Sequence, residues 1–536
     1  MHFRNWMTAI FAALVLIAPS PFPSAQFNAS IEGVVIDHDS GAPMGGVKVY
    51  FSNVGTFARE STFVTTDPQG RFVIEVRTAG RYRLLPEQPG YVHSRPARLK
   101  TPQRVLYVQV SEQGPTPRLE LPMAREGIIV GQILDSVTGQ PMPSVVVNLG
   151  VPTYDRTGNI FAEMGFPAEG SPGTEIRTND RGEYRIFGLP QGEYYVVYRR
   201  YIPDNAAPIV GHMLGYYPGV DRLAGAALLK VEAGKETRAN PILLDPPSKA
   251  VQVRFRYGGT NPKVASEVSP SMMFTADNWE TSTRVGRNND ETLVRMHRGR
   301  HDLTFQIPSA TGDMLYSLMS FDVGPEDLEK DVILTRAVNL TGVVTLRDAA
   351  GKTLEGSGIS CSLDGSGQLL TPRSGRGARP GCIEGKAVMG SYQLRVSLPA
   401  DAFVVSAKAG QRDVLRDGID ATKDVHLDIE AATPGAVISG VVTDDKNSPM
   451  SGATVALVPD APYRNAVVLY RSDISVFDGK FVLRAVAPGA YRVFAFTDLP
   501  GVAYRNPEFL MKYETRGTPI KIENATPVSL KLVALE

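Results

Sequence analysis

Few residues in this 536-residue chain have types and spacings suited to chemistry. His297 and His301 are four apart, and on a helix that spacing would present two imidazoles on one face for a metal ion. The local pattern argues otherwise. Gly299-Arg-His301 aligns with Gly192-Glu-Tyr194 and Gly489-Ala-Tyr491, which places His301 in the buried aromatic slot of a strand and His297 at a turn. Asp37-His-Asp-Ser-Gly41 resembles the start of a calcium loop, but a full loop needs further oxygen ligands and a bidentate Glu, and Pro43-Met-Gly45 intervenes. Asp and Gly are also what a tight turn requires. Gly-x-Ser-x-Gly elbows and phosphate-binding loops are absent, and Ser357-Gly358 and Ser366-Gly367 stand in a Gly-rich stretch with no His partner. The sequence therefore predicts no catalytic residue, no metal site and no cofactor.

Cys361 and Cys382 are the two cysteines. An oxidising compartment would pair them, closing a loop that stabilises by about 3 kcal/mol in the chain-entropy account; two buried thiols are the alternative. Two aromatic stretches exceed what a small β domain needs: Gly215-Tyr216-Tyr217-Pro-Gly219, and a later tail around Tyr504 and Tyr513. Pro and Gly beside the rings suit a stiff recognition loop, so Tyr216, Tyr217, Tyr504 and Tyr513 are the candidate binding residues. Padding of a neighbouring strand or module junction is the competing role.

The elements that would position these residues repeat. Thr178 to Tyr198 reads as a hairpin, with a turn at Asn179–Gly182 followed by strands bearing Tyr184, Ile186, Tyr194, Val196 and Tyr198. Related stretches occur at Asp67–Tyr82 and Asp478–Val493, with fainter ones at Leu293–Leu303 and Gly390–Val404. Each clear unit opens on a strand with an early glycine. Gly33 and Gly131 are 98 residues apart, as are Gly342 and Gly440, whereas 211 residues separate Gly131 from Gly342. One more unit fits that gap, opening at Val251–Tyr257. The expected organisation is a signal segment over 1–25 and β-sandwiches over 26–124, 125–247, 248–336, 337–433 and 434–536, in an elongated array with helix limited to single turns.

Composition agrees with this scheme. With 51 Gly and 40 Pro the chain is rich in turns, and 56 basic residues balance 56 acidic ones, which disfavours nucleic acid and anionic membrane surfaces as partners. Arg4, the apolar run Met7–Ile17 and the small residues Ser24-Ala25 read as a secretory signal, too short for a membrane anchor. No later stretch is long and apolar enough to span a bilayer as a helix.

The early Gly-x-Val-x-Asp, the Gly-x-Pro-Met turn, Asp-x-x-Gly-x-Phe/Tyr and Leu-Pro-x-Gly-x-Tyr-x-Val together resemble the carboxypeptidase regulatory-like (transthyretin-like) β-sandwich family. The resemblance covers the first, second and fifth units well, the fourth moderately and the third by spacing alone. It implies an all-β fold of tandem antiparallel Greek-key sandwiches, usual as accessory parts of secreted or envelope-associated bacterial proteins, and no fixed reaction. The zinc peptidases that carry such a unit need a His-x-x-Glu pair that no histidine here begins. Hydroxyisourate hydrolases of transthyretin fold end in Tyr-Arg-Gly-Ser, whereas this chain ends in Leu532-Val-Ala-Leu-Glu536. The expectation is a secreted or periplasmic non-catalytic scaffold that engages an envelope or extracellular protein, with polysaccharide binding through the tyrosine loops as the alternative.

Overall fold

The computed structural model describes residues 29–53, 62–93, 106–110, 119–166, 176–199, 209–210, 214–245, 249–257, 271–276, 279–284, 291–311, 313–354, 359–365, 369–372, 382–476 and 478–536. The predicted signal segment and the Gly-rich serine stretch lie outside them. The described chain is strand throughout, with two α-helices of one turn each, Val414–Asp417 and Pro507–Met511, and short 3-10 turns. Two compact units are present: Met1–Glu87 with Val105–Leu121, and Gln88–Arg104 with Pro122–Glu536.

In the first unit, Ala29–Asp37 pairs with Arg71–Val76, and a second sheet orders Thr62–Thr65, Lys48–Asn53, Gly80–Glu87 and Leu106–Val110. Strict alternation along Arg71–Val76 puts Phe72, Ile74 and Val76 in the core and the intervening residues in water. The larger unit repeats the same two-sheet plan. Its last sandwich orders Lys480–Val486, Ala436–Thr443 and Val528–Val533 in one sheet, and Arg471–Ile474, Thr454–Pro459, Gly489–Phe496 and Thr518–Ile522 in the other. Ala436–Thr443 pairs antiparallel with Lys480–Val486 and parallel with Val528–Val533. That mixed pairing recurs around Gly127–Asp135, Val251–Arg256 and Val338–Arg347. Tandem β-sandwiches are the architecture.

The sequence signature has a physical cause in the register. Gly33 lies opposite Phe72, Gly131 opposite Tyr184 and Gly440 opposite Phe481. In each pair the ring lies across the glycine: a Cβ on Gly33 would stand 2.6 Å from the Phe72 ring, and one on Gly131 2.2 Å from the Tyr184 hydroxyl. The early glycine and the aromatic after the Asp-x-x-Gly turn are thus one cross-strand unit. In the fourth sandwich Gly342 faces Ile383, which is why that copy is fainter.

Tyr184 differs from its equivalents Phe72 and Phe481 by a hydroxyl that is buried with no hydrogen-bond partner among the described residues. Burial raises its pKa, with Tyr217 nearby adding to the shift. An unsatisfied buried hydroxyl costs about 1–3 kcal/mol. Tyr184→Phe is therefore expected to raise the stability of the second sandwich by about 1 kcal/mol in chemical denaturation. A loss of stability would mean that the hydroxyl has a partner after all.

Candidate functional site

The residues with chemical potential are held in place by the fold, beginning with the aromatic slot. Tyr82 donates its hydroxyl to the Thr78 carbonyl, Tyr194 to Pro190, Tyr392 to Val388 and Tyr491 to Ala487, each four residues back at 2.6–2.9 Å. In the third sandwich His301 fills the slot. Its ring Nε2 lies 2.9 Å from the His297 carbonyl, and both histidines are buried. The hydroxyl or ring nitrogen ties the tight turn before the strand to the strand itself. Among the described residues no group of three or more His, Cys, Asp or Glu could hold a metal ion.

The Asp37 loop also has a local use for its carboxylate. Asp37 Oδ1 accepts from the amides of Asp39 and Ser40 and from the Ser40 hydroxyl. Asp135 makes the same turn with the amides of Val137 and Thr138, whereas Asp348 and Asp444 close a shorter turn, accepting from Ala350 and Lys352 in one sandwich and from Lys446 and Ser448 in the other. Amide donors from Thr138 and Val137 hold Asp135 below the usual carboxylate pKa.

A second set of hydroxyls escaped the sequence reading. Thr66, Thr178 and Ser475 each precede the turn of the signature hairpin, and all three are buried. Thr66 donates to the Met44 carbonyl and accepts from the Val47 amide; Thr178 does so with Met142 and Val145, and Ser475 with Met450 and Ala453. Each hydroxyl fastens the Pro-Met turn to the hairpin. The signal was a Thr or Ser at one fixed position in the repeat.

The tyrosine stretches lie against strand faces. Tyr216 is 1% exposed and Tyr504 3% exposed, whereas Tyr217 and Tyr513 are half-buried. Tyr216 packs with Tyr195, Val197, Leu214, Leu223 and Ala162 on the outer face of the second sandwich. Tyr217, the next residue, packs on the opposite side against the inner core with Tyr184, Tyr194 and Tyr198. In the fifth sandwich Tyr504 joins Tyr470, Phe494, Phe496 and Leu510 on the outer face, with Phe509 and Tyr513 at the margin. Of the two roles left open for these rings, the burial of Tyr216 and Tyr504 favours padding: each tail is a lid over a sheet face that is otherwise apolar. Consequently Gly192–Arg199 is buried from Tyr194 through Tyr198.

The two lidded sandwiches also meet, which a simple linear array would not bring about. The turn at Asp155–Asn159, between Val146–Tyr154 and Ile160–Phe166, docks on the fifth sandwich's tail. Arg505 donates to the Arg156 carbonyl, and Asn506 Nδ2 to the Gly158 carbonyl at 2.9 Å. The Tyr154 and Phe509 rings pack edge-on at 5.8 Å. Gly158, at φ 91°, lies so close to Arg505 that a Cβ would stand 2.7 Å from its carbonyl carbon. The Arg505 guanidinium covers the rings of Tyr470 and Tyr504 at 5.4 and 5.8 Å.

Cys361 has no disulfide partner among the described residues, and burial pushes its thiol up to about 12. Its strand, Ser360–Gly365, belongs to a different sheet from Cys382–Ala387. The side chain of Cys382 lies outside the described residues, and the disulfide remains an expectation. Among the described residues the nearest approach to a catalytic grouping is Thr341 Oγ1, 2.8 Å from His426 Nδ1, with Asp428 3.6 Å from the far nitrogen. The His426 and Asp428 side chains are 56% and 68% exposed, so water solvates both and the imidazole is not fixed as a base.

Comparison with known proteins locates the fold more firmly than the function. Residues 30–111 match the family model of the carboxypeptidase regulatory-like domain. No curated protein matches the chain. Among solved structures, the Bacillus anthracis TIE protein is 14% identical, with a TM-score of 0.16, covering 58% of this chain and 51% of its own. This chain thus spans about half the length of that protein. The minor pilin GBS52 of Streptococcus agalactiae is 14% identical, with a TM-score of 0.20, covering 41% of this chain and 98% of its own. The major pilin subunit BcpA of Bacillus cereus is 10% identical, with a TM-score of 0.14 and coverages of 57% and 99%. At such scores these likenesses say nothing of this chain's partners. No helix among the described residues is long and apolar enough to cross a membrane.

Proposed function

We propose that this chain is an exported, non-catalytic scaffold that holds an envelope or extracellular protein against its sandwich edges. The observation that carries the reading is where the reactive and aromatic side chains go: carboxylates into turns, hydroxyls into clasps, and tyrosines into lids and a contact between sandwiches. What remains for partners is strand edge and turn surface. In the fifth sandwich, Arg471–Ile474 and Thr518–Ile522 end their sheet, and Ile474 exposes 54% of its surface on the first of these edges. Such an edge accepts an added strand through main-chain hydrogen bonds. The match of residues 30–111 to a regulatory-like domain supports an accessory role. Polysaccharide stacking on Tyr216 or Tyr504 loses ground because those rings are covered.

The test is crosslinked capture from envelope extract with the mature chain and with Ile474→Lys. One stoichiometric protein, enriched at least about tenfold less by the variant at unchanged melting temperature, is the expected result. Recovery of polysaccharide without protein, or of a protein indifferent to the edge, would overturn it.

A further inference from the structure

We infer that the contact between the Asp155–Asn159 turn and the Tyr504–Phe509 tail is a reversible latch, so that the second and fifth sandwiches have a closed and an open arrangement. This goes beyond the scaffold reading, which holds whether or not the two sandwiches separate.

The argument rests on how the contact is built compared with the other junctions of the larger unit. The fourth and fifth sandwiches share a core: Ala466 is 4% exposed within the fourth sandwich's cluster, and Val468 and Leu469 pack beside it. Between the second and third, Asp221 accepts from the Arg300 amide, Arg222 pairs with Asp302 at 3.0 Å, and Ile209–Val210 adds to the edge of Glu291–Met296 as a parallel strand. Those junctions share a core or a strand. Among the described residues the contact between the second and fifth sandwiches shares neither: it has two side-chain donors on turn carbonyls, one ring pair, Tyr154 with Phe509, both rings half-buried, and the close approaches of Gly158 and Gly501.

The docking elements are also complete without one another. The turn closes on itself, Asp155 accepting from the Thr157 and Asn159 amides and Gly158 donating to the Asp155 carbonyl. Asn506 caps the short helix Pro507–Met511 by accepting from Phe509, and Tyr504 is buried within its own sandwich. Opening therefore unfolds nothing. A contact of a few groups is weak between separate molecules but is populated when the connecting chain holds its halves at a high effective concentration. Inter-domain contacts of this small, polar kind open readily.

Two of the contact's features set the closed geometry. Gly158 and Gly501 allow main chain to approach main chain: a Cβ on Gly501 would stand 2.6 Å from the Tyr154 carbonyl oxygen. Arg505, spread over Tyr470 and Tyr504, is held where it meets the Arg156 carbonyl, so its removal would weaken docking while leaving the lid's apolar contacts in place.

The experiment uses the mature full chain, with dyes attached by bio-orthogonal chemistry at the exposed turn residues Thr138 and Lys446, read by single-molecule energy transfer. The wild type is expected to show a dominant closed state and a minor open one, on the order of 1–10%. Arg505→Ala combined with Asn506→Gly should raise the open-to-closed ratio at least about tenfold. Because Asn506 also caps a helix, Arg505→Ala alone serves as the second variant and should shift the ratio in the same direction with unchanged melting. A single state in the wild type that neither variant shifts, or a shift seen only as the fifth sandwich melts, would make the contact a fixed interface and overturn the latch.

Discussion

Replacing Tyr216 and Tyr217 by alanine is expected to destabilise the second sandwich by about 4–6 kcal/mol and to lower its melting temperature by well over 10 °C. The two rings act on opposite sides of one strand end. Tyr216, 1% exposed, closes the outer apolar face with Tyr195 and Leu223, and Tyr217 packs against the inner core. Deleting a fully buried aromatic costs about 3–5 kcal/mol, and a half-buried one less. Single variants should divide the loss unequally, with Tyr216→Ala the larger. Tyr216→Phe should retain most of the stability because the ring supplies most of the buried area. Thermal and urea unfolding of the double variant beside wild type measures this directly. Unchanged melting with a lost partner would instead make these residues a recognition loop.

How far the sequence foretold this can be argued from the same residues. The aromatic slot was legible even in disguise: Gly299 fixed the register, so His301 could be placed on a strand although its spacing from His297 suggested a metal pair. The sequence left recognition and padding both open for these stretches, because proline, glycine and tyrosine have the same composition in a covering loop as in a binding loop. The information was nevertheless present in the strand below. Tyr194-Tyr-Val-Val-Tyr198 is apolar at every position, which means a strand covered on both faces, whereas alternation marks one covered face. Gly80–Glu87 alternates, its burial following Tyr82, Leu84 and Pro86. The Thr66, Thr178 and Ser475 hydroxyls were visible only by aligning copies, since a lone Thr before a turn is ordinary. The docking of Asp155–Asn159 on Arg505 and Asn506 joins residues about 350 apart in sequence, and no local periodicity encodes it.

The backbone carbonyl cluster around Arg471 was equally hidden, and it carries the other large expected effect: Arg471→Met should cost the fifth sandwich about 3–5 kcal/mol. The guanidinium donates through Nε to the carbonyls of Arg484 and Ala485, through Nη1 to Val468 and Tyr470, and through Nη2 to Ala485 again. Burial pulls its pKa below the ordinary arginine value, yet arginine stays charged at any ordinary pH. A charge placed among neutral carbonyls is tolerable because its planar fork meets several of them at once. Methionine would fill much of the volume and leave those acceptors without their donor. Ala485, held at φ 55°, would lose both of the Arg471 contacts on its carbonyl, and a non-glycine residue in that region is costly to maintain. Val468 belongs to the segment that docks on the fourth sandwich and Tyr470 follows it, so the loss should also loosen that junction. Lysine tests the geometry. One ammonium cannot span carbonyls on both sides of the hairpin, and Arg471→Lys is expected to recover less than about half of the lost stability in urea denaturation. Full recovery by lysine would show that charge alone, rather than the fork of donors, holds these two segments together.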